Sequence, residues 1–192
     1  MTKADLRKQV KTLLKNYQEK IPLASEKICQ LILNSEPYKK SSIILSYMAL
    51  GDEVCLDLLM EEANKAGKKI YLPRIIPDSS DMDFYEKTSD SELNFYGIEE
   101  PSASAPKFQI KKYDEDVLIL VPGRAFSMQG ARLGRGKGYY DSYLSKLKAY
   151  NPNNLHLMGV CFSLQIFDQI PLEAHDQKLD YIVTEENFTL AK

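Results

Sequence analysis

The first forty residues place apolar side chains among charged ones at a helical period. Apolar positions recur at steps of three and four at Leu6, Val10, Leu13, Leu14, Tyr17 and Ile21. This spacing predicts an amphipathic helix that ends at Ile21-Pro22. A second apolar face is formed by Ala24, Ile28, Leu31 and Ile32. We expect this second helix to end at Glu36-Pro37, because the residue before a proline is pushed out of the helical region.

From residue 42 onward, short apolar runs alternate with helical patterns. The run Ser42–Tyr47 predicts a buried strand, and Lys69–Pro73 predicts the next one. Between them, a helix that stops near Gly67 is outlined by Leu56, Leu59, Met60 and Ala63. A strand, a helix and a strand in this order indicate a parallel, right-handed crossover, with helices packed on a mainly parallel sheet.

The middle of the chain changes character before the strongest strand signal. Turn formers and charges dominate residues 76–105, where Met82–Glu86 predicts an alternating edge strand and Pro101–Pro106 a loop. We expect this part of the chain to form an antiparallel flap. Asp116–Val121 gives the strongest signal of a buried strand in the chain. Further strands are expected at Leu155–Val160 and Tyr181–Val183, after a helix whose inner face carries Tyr140, Leu144 and Leu147.

These elements predict an α/β fold with a mainly parallel sheet, helices on both faces in three layers, and an antiparallel edge or flap. A chain of 192 residues with 44% hydrophobic content can bury one sizeable core. We therefore expect residues 1–192 to form a single domain.

Composition and charge narrow the function classes. Lys and Arg number 25 against 27 Asp and Glu, so a nucleic-acid partner is not expected. Cys29, Cys55 and Cys161 are scattered and odd in number, which indicates reduced thiols rather than disulfides or a zinc site. Met1 leads into a charged segment without a signal-peptide core, and no apolar run approaches a membrane span. We expect a cytoplasmic monomer without a membrane partner.

The segment Gly130–Asp141 concentrates the candidate chemistry. It places four glycines and three cations between a buried strand and a helix. Glycine amides, a helix N-terminus and basic side chains together favour a phosphate. The segment is not a Walker A loop, because five residues separate Gly130 from Gly136 and Gly138 stands where Ser or Thr would bind magnesium.

A metal at such a phosphate site would need a ligand from elsewhere. Asp141 follows Lys137 by four residues, so we expect the two side chains to share a helix face. Magnesium takes one or two carboxylates together with phosphate oxygens and water, which suits this spacing. From the residues alone, a solvated turn remains an alternative.

The same segment resembles the signature of the 5-formyltetrahydrofolate cyclo-ligases, also called methenyltetrahydrofolate synthetases. The resemblance rests on Pro122-Gly123, Ala125-Phe126, Gly130 and Arg132–Asp141, and it extends to Lys3, Arg7, Asp52-Glu53-Val54, Tyr96–Pro101, His175-Asp176, Asp180 and Thr184. Ser127 departs from the pattern, since many relatives have an acidic residue there. The resemblance spans nearly the whole chain and implies an α/β fold.

The resemblance also implies residue roles. ATP would bind at Lys3, Arg7, Arg132, Leu133, Gly134, Arg135, Gly136, Lys137, Gly138, Tyr139 and Tyr140, with Lys137 and Arg135 as the catalytic cations. Magnesium would bind at Asp141 and Asp176, and the folate at Met48, Glu53 and Tyr139. Taken alone, Lys3 and Arg7 read as solvated charges, and Tyr140 reads as a core residue. His175 is given no role.

The implied reaction is the ATP- and magnesium-dependent cyclisation of 5-formyltetrahydrofolate to 5,10-methenyltetrahydrofolate, through phosphorylation of the formyl oxygen and with release of ADP and phosphate. Two other functions remain open. One is a folate- or nucleotide-binding protein without catalysis, because fold does not fix function. The other is a different phosphoryl-transfer or sugar-phosphate enzyme on a related scaffold.

Overall fold

A computed structural model of the chain describes residues 1–76, 79, 81–93, 97, 99–109, 114–150, 153–173 and 176–191, with Tyr150 described by its backbone only. The α-helices are α1 (Lys3–Lys15), α2 (Ile21–Asn34), α3 (Glu36–Lys40), α4 (Asp57–Lys65) and α5 (Tyr139–Tyr150). Short 3-10 turns lie at Gln18–Lys20 and Ser163–Gln165. Three of the helices precede the first strand, and the other two connect parallel strands.

A seven-stranded sheet forms the centre of the molecule. Its strands are, in spatial order, β11 (Phe188–Leu190), β10 (Tyr181–Val183), β9 (Leu155–Val160), β6 (Val117–Val121), β1 (Ile43–Leu45), β2 (Lys69–Ile75) and β3 (Met82–Glu86). The five inner strands are parallel, and the two outer ones pair antiparallel with their neighbours. The antiparallel edge predicted at Met82–Glu86 is therefore confirmed.

Two small antiparallel pairs complete the described strands. They are β4 (Ser91–Leu93) with β5 (Glu99–Pro101), and β7 (Ala125–Phe126) with β8 (Arg132–Leu133). Pro101 therefore ends a strand rather than opening a loop.

Alternate side chains of the sheet enter two separate hydrophobic layers. Ile44 and Leu118 pack with the apolar faces of α1, α2 and α4, whereas Ile43 and Ile119 pack on the other face with α5. Successive residues of a strand point to opposite faces, so a sheet buried on both sides needs continuous apolar runs. The three-layer α/β prediction is confirmed.

The prediction that the first helix runs to Ile21-Pro22 is wrong. Helix α1 ends at Lys15 with Asn16 as its C-cap, and Pro22 lies in the first turn of α2. Proline is tolerated there, because the first-turn amides have no partner within the helix and proline supplies a suitable φ. Pro37 occupies the same position in α3, directly after α2 has ended at Asn34.

The order of the parallel strands fixes where loops can converge. Helix α4 carries the chain from β1 to β2 on one side, while α5 leads from β6 to β9 on the other side. In open α/β sheets, ligands bind beyond the carboxyl ends of the strands where such connections diverge. That switch point lies at the carboxyl ends of the neighbouring strands β1 and β6. Within the described residues, the helices are too short or too polar to cross a bilayer.

Candidate active site

A cleft of about 750 Å³ opens at the switch point. Its walls come from the start of α1, the loop after β1, the ends of β2 and β5, the loop after β6, the glycine-rich segment and the loop around Asp176. Every residue that the sequence analysis assigned to ATP, folate or magnesium borders this cleft: Lys3, Arg7, Met48, Glu53, Arg132, Leu133, Gly134, Arg135, Gly136, Lys137, Gly138, Tyr139, Tyr140, Asp141 and Asp176. Segments distant in sequence therefore meet at one place.

The glycine-rich segment takes a conformation that side chains disfavour. Gly136 and Gly138 have φ values of 107° and 76°, in the left-handed region that glycine enters without steric cost. Residues 135–138 are exposed, and α5 begins only at Tyr139. The expectation that Lys137 and Asp141 share a helix face is therefore wrong, because the two left-handed glycines keep Lys137 outside the helix.

Arg132 is a buried part of the cleft lining. It is 5% exposed, its guanidinium pairs with Asp141 at 2.7 Å, and it donates to the Pro122 carbonyl at 3.3 Å. The Arg132 guanidinium carbon also lies 5.7 Å from the centre of the Tyr140 ring. Arg132 therefore joins β8 to the first turn of α5 and to the loop after β6.

Two buried polar atoms of this cluster have no hydrogen-bond partner among the described residues. They are Arg132 Nε and the Tyr140 hydroxyl. Burial strongly raises the pKa of Tyr140, with the Glu53 carboxylate adding to the shift, so the phenol stays protonated. The cluster therefore holds unsatisfied hydrogen-bonding capacity.

Arg135 reaches across the cleft wall to the loop after β1. Its Nε donates to Glu53 Oε1 at 2.9 Å and its Nη2 donates to Asp52 Oδ1 at 2.7 Å. Burial opposes ionisation of Asp52, but hydrogen bonds from Arg124 and Arg135 outweigh it and lower the pKa of this carboxyl. The glycine-rich segment and the loop that carries Glu53 are thus joined by ion pairs.

Helix α1 holds the opposite side of the cleft. Lys3 lies 2.9 Å from Asp176 and 3.2 Å from Glu173, and Arg7 Nε donates to the Gly134 carbonyl at 2.9 Å. Burial lowers the pKa of Lys3, but the two carboxylates outweigh it and leave the value raised. The two cations lie one turn apart on α1, so both face the cleft.

The residues predicted for magnesium are present, yet each is engaged by a cation. Asp141 pairs with Arg132, and Asp176 pairs with Lys3. Across the described residues, no group of three or more His, Cys, Asp or Glu side chains could hold a metal. Magnesium needs only one or two carboxylates when phosphate oxygens and water complete its shell, so Asp141 and Asp176 have the donor type that such an ion would take. His175 lies outside the described residues.

The remaining wall of the cleft is apolar. The cleft is also bordered by residues to which the sequence analysis assigned no role. The apolar lining includes Tyr47, Met48, Leu50, Pro73, Ile75 and Met82. Glu99 and Glu100 on β5 and Glu173 also border the cleft without having been assigned. The first two lay inside the Tyr96–Pro101 resemblance, which was a usable signal, whereas Glu173 had none.

Ser127, the departure from the family pattern, closes the turn between β7 and β8. Its hydroxyl accepts hydrogen bonds from the Gln129 and Ala131 amides, both at 3.3 Å, and the residue is 2% exposed. Serine therefore supplies the turn's acceptor.

Known proteins and a family model are similar to this chain. Residues 1–185 match the model of the 5-formyltetrahydrofolate cyclo-ligase family. A probable 5-formyltetrahydrofolate cyclo-ligase of Schizosaccharomyces pombe is 36% identical over 83% of this chain and 82% of its own length. The mouse (Mus musculus) 5-formyltetrahydrofolate cyclo-ligase is 30% identical over 83% of this chain and 81% of its own length.

A solved structure shows the same likeness. The solution structure of Aquifex aeolicus 5,10-methenyltetrahydrofolate synthetase matches with a TM-score of 0.79 and 32% identity, covering 100% of this chain and 94% of that one. Sequence relatives and three-dimensional likeness therefore agree over nearly the full length. The chain belongs to the 5-formyltetrahydrofolate cyclo-ligase family, which is a family of ligases.

Proposed function

We propose that this protein closes 5-formyltetrahydrofolate into 5,10-methenyltetrahydrofolate at the expense of ATP, with magnesium. One observation carries the proposal: the cationic glycine-rich segment, the carboxylate of Glu53 and an apolar wall border a single cleft of about 750 Å³. The glycine-rich segment suits phosphates. The Glu53 carboxylate suits the hydrogen-bond donors of a pterin, and the apolar wall suits its flat rings. We further propose that residues 1–192 act as one cyclo-ligase domain, as a cytoplasmic monomer with small-molecule substrates only.

In the proposed reaction, the formyl oxygen attacks the γ-phosphorus of ATP and ADP leaves. N10 of the folate then attacks the activated formyl carbon, the bond from that carbon to the phosphorylated oxygen breaks, and phosphate departs with that oxygen. The proton on N10 is lost to solvent. Water is not consumed, and a covalent intermediate with the protein is not required.

The chain would act mainly by positioning and by neutralising charge, as is usual in phosphoryl transfer. Lys137 and Arg135 would face the transferring phosphoryl group, while the amides of Gly134, Gly136 and Gly138 approach its oxygens. Lys3 and Arg7 would hold the nucleotide from α1. Asp141 and Asp176 would hold magnesium, which supplies further positive charge at the phosphates.

The folate would occupy the apolar wall. Glu53 would accept from the donor-rich edge of the pterin, Tyr139 would pack on the ring, and Met48 would contact it from the loop after β1. Burial matters here, because the Glu53 side chain is only 10% exposed and a hydrogen bond is stronger where water is excluded.

Activity can be tested directly through the absorbance of the methenyl product. Purified protein is mixed with 5-formyltetrahydrofolate, magnesium and ATP, and ATP is omitted in the control. ATP-dependent product supports the cyclo-ligase reaction. Tight binding of ATP or folate by well-folded protein without product would contradict it and favour a binding protein on the same fold.

Replacing Lys137 tests the charge that the proposal assigns to the glycine-rich segment. We expect Lys137→Ala to lower kcat by about 100- to 1000-fold, since removal of one positioned donor costs that much in electrostatic sites. Lys148→Ala is the matched control, because Lys148 is a half-buried lysine of α5 that does not border the cleft and donates to the Lys178 carbonyl. Activity of Lys137→Ala above about a tenth of the parent would count against the proposal.

A further inference from the structure

Asp52 lies where three segments of the cleft wall meet. It follows β1, and its Oδ2 accepts a hydrogen bond from Arg124 Nη1, which belongs to the loop after β6. Its Oδ1 accepts from Arg135 Nη2 at 2.7 Å, in the glycine-rich segment. The Asp52 carboxylate therefore connects three segments: the loop after β1, the loop after β6 and the glycine-rich segment.

Arg135 is held between two carboxylates rather than by one. Its Nε and Nη2 lie 2.9 Å and 2.7 Å from Glu53 Oε1, in addition to its bond to Asp52. The other Glu53 oxygen, Oε2, accepts from the Leu50 amide at 3.0 Å. A planar guanidinium with a fixed fork of donors takes one orientation when two acceptors hold it.

The charges of this cluster balance only with Asp52 present. Arg124 and Arg135 face Asp52 and Glu53, which makes two cations and two anions within direct contact. Without the Asp52 charge, Arg124 would lose the carboxylate that it contacts, and Glu53 would be the carboxylate left in contact with Arg135. Arg135 would then turn fully onto Glu53 and take up the acceptor that the pterin needs.

We propose that Asp52 is a positioning residue of the cyclo-ligase reaction, which holds Arg135 at the cleft wall and keeps Glu53 available to the pterin. This inference rests on the proposed function. It assigns Asp52 no contact with either substrate, so its effect passes through Arg135 and Glu53. Nucleotide binding depends on it less, because Lys3 and Arg7 are held separately, by Asp176 and by the Gly134 carbonyl.

Asp52→Asn keeps the shape of the side chain and removes its charge. We expect kcat to fall by about 10- to 100-fold, since small misplacements of a catalytic group cost up to about 100-fold. The KM for 5-formyltetrahydrofolate should rise, while the KM for ATP should change by less than about threefold. Asp83→Asn is the matched control, because Asp83 pairs with Lys107 at 2.6 Å on β3 and does not border the cleft.

The same substitution in an Arg135→Ala background separates positioning from a general loss of structure. If Asp52 acts through Arg135, Asp52→Asn should then lower kcat by less than about threefold. An equal loss in both backgrounds would overturn the inference. So would a kcat of Asp52→Asn within about twofold of the parent in an otherwise active enzyme.

A measurement without turnover keeps this inference distinct from the proposed function. The Arg135 Nε–H signal in nitrogen-15 NMR, assigned by its loss in Arg135→Ala, should exchange slowly with water in the parent and faster in Asp52→Asn. Unchanged exchange overturns the positioning role. A parent that forms no product overturns the proposed reaction instead, and with it any role of Asp52 in that reaction.

Discussion

At the scale of single residues, the buried hydroxyl of Tyr140 offers a test that separates stability from function. Burying a hydroxyl without a hydrogen bond costs about 1–3 kcal/mol, so removing it should not destabilise the free protein. We expect Tyr140→Phe to leave the free energy of unfolding unchanged or to raise it. Denaturant titration measures this. Tyr47→Phe is the contrast, because the buried Tyr47 hydroxyl donates to the Val54 carbonyl at 3.0 Å and its loss should cost about 1 kcal/mol.

A Tyr140→Phe protein destabilised by more than about 1 kcal/mol would mean that the hydroxyl is satisfied in solution, and a buried water would then be the partner to look for. A raised KM for ATP with unchanged stability would place the hydroxyl on the nucleotide. This outcome would support the role that family resemblance gave to Tyr140.

The sequence could predict which residues lie at the cleft, but not which of them contact each other. The family pattern named many of the residues that border the cleft, Lys137 and Glu53 among them. It did not indicate that Arg132 is buried against Asp141, or that Arg135 pairs with Asp52 and Glu53. Such pairings depend on which loops meet in space, and sequence spacing carries no information on contacts between segments 82 or 83 residues apart.

At the scale of elements, the turn between β7 and β8 depends on one glycine. Gly130 has φ of 80°, and a Cβ there would lie 2.4 Å from the Leu179 carbonyl oxygen. Both the backbone strain and the clash oppose any side chain. We expect Gly130→Ala to lower the free energy of unfolding by at least about 2 kcal/mol, measured in urea.

Gly51→Ala is the matched control for that substitution. A Cβ at Gly51 meets nothing within 4 Å, so the alanine variant should stay within about 1 kcal/mol of the parent. Equal stability of the two variants would show that the chain near Leu179 moves aside to accept a side chain at residue 130.

Strands were easier to predict than helix ends and short pairs. The buried runs at Val117–Val121 and Leu155–Val160 are long and apolar enough to be predicted as strands, and the structure contains both. The end of α1 was misplaced because a proline can begin a helix as well as end one. The pair β4–β5 lies in the stretch predicted as an antiparallel flap, but its individual strands were not predicted, and the pair β7–β8 was missed. Strands of two or three residues are stabilised by tertiary contacts and leave no periodic signal.

At the scale of the whole molecule, Glu185 joins the beginning of the chain to its end. Its carboxylate accepts from the Tyr17 hydroxyl at 2.8 Å and from the amide and hydroxyl of Ser163, at 2.9 Å and 2.7 Å. Burial opposes ionisation, but the hydrogen bonds led by that of Ser163 outweigh it and lower the pKa of Glu185 below its ordinary 4.5. The folded state thus favours the charged form.

A carboxyl whose pKa is lowered by folding stabilises the protein above its ordinary pKa, and this contribution is lost as the pH falls through the lowered value. We expect Glu185→Gln to be less stable than the parent near pH 7, with the difference shrinking below about pH 4.5. Unfolding curves at several pH values measure it, with the exposed Glu186→Gln as control. A difference that is constant with pH would exclude this linkage.

The contacts that build the cleft close very long loops of chain. Lys3 meets Asp176 across 173 positions, and Arg7 meets Gly134 across 127. Contacts of such high sequence separation form late in folding, because the entropy of loop closure has to be overcome first. A partly folded chain would therefore lack the cleft. A ligand that binds only the complete fold stabilises it by mass action, by about 2.7 kcal/mol at a concentration 100 times its Kd.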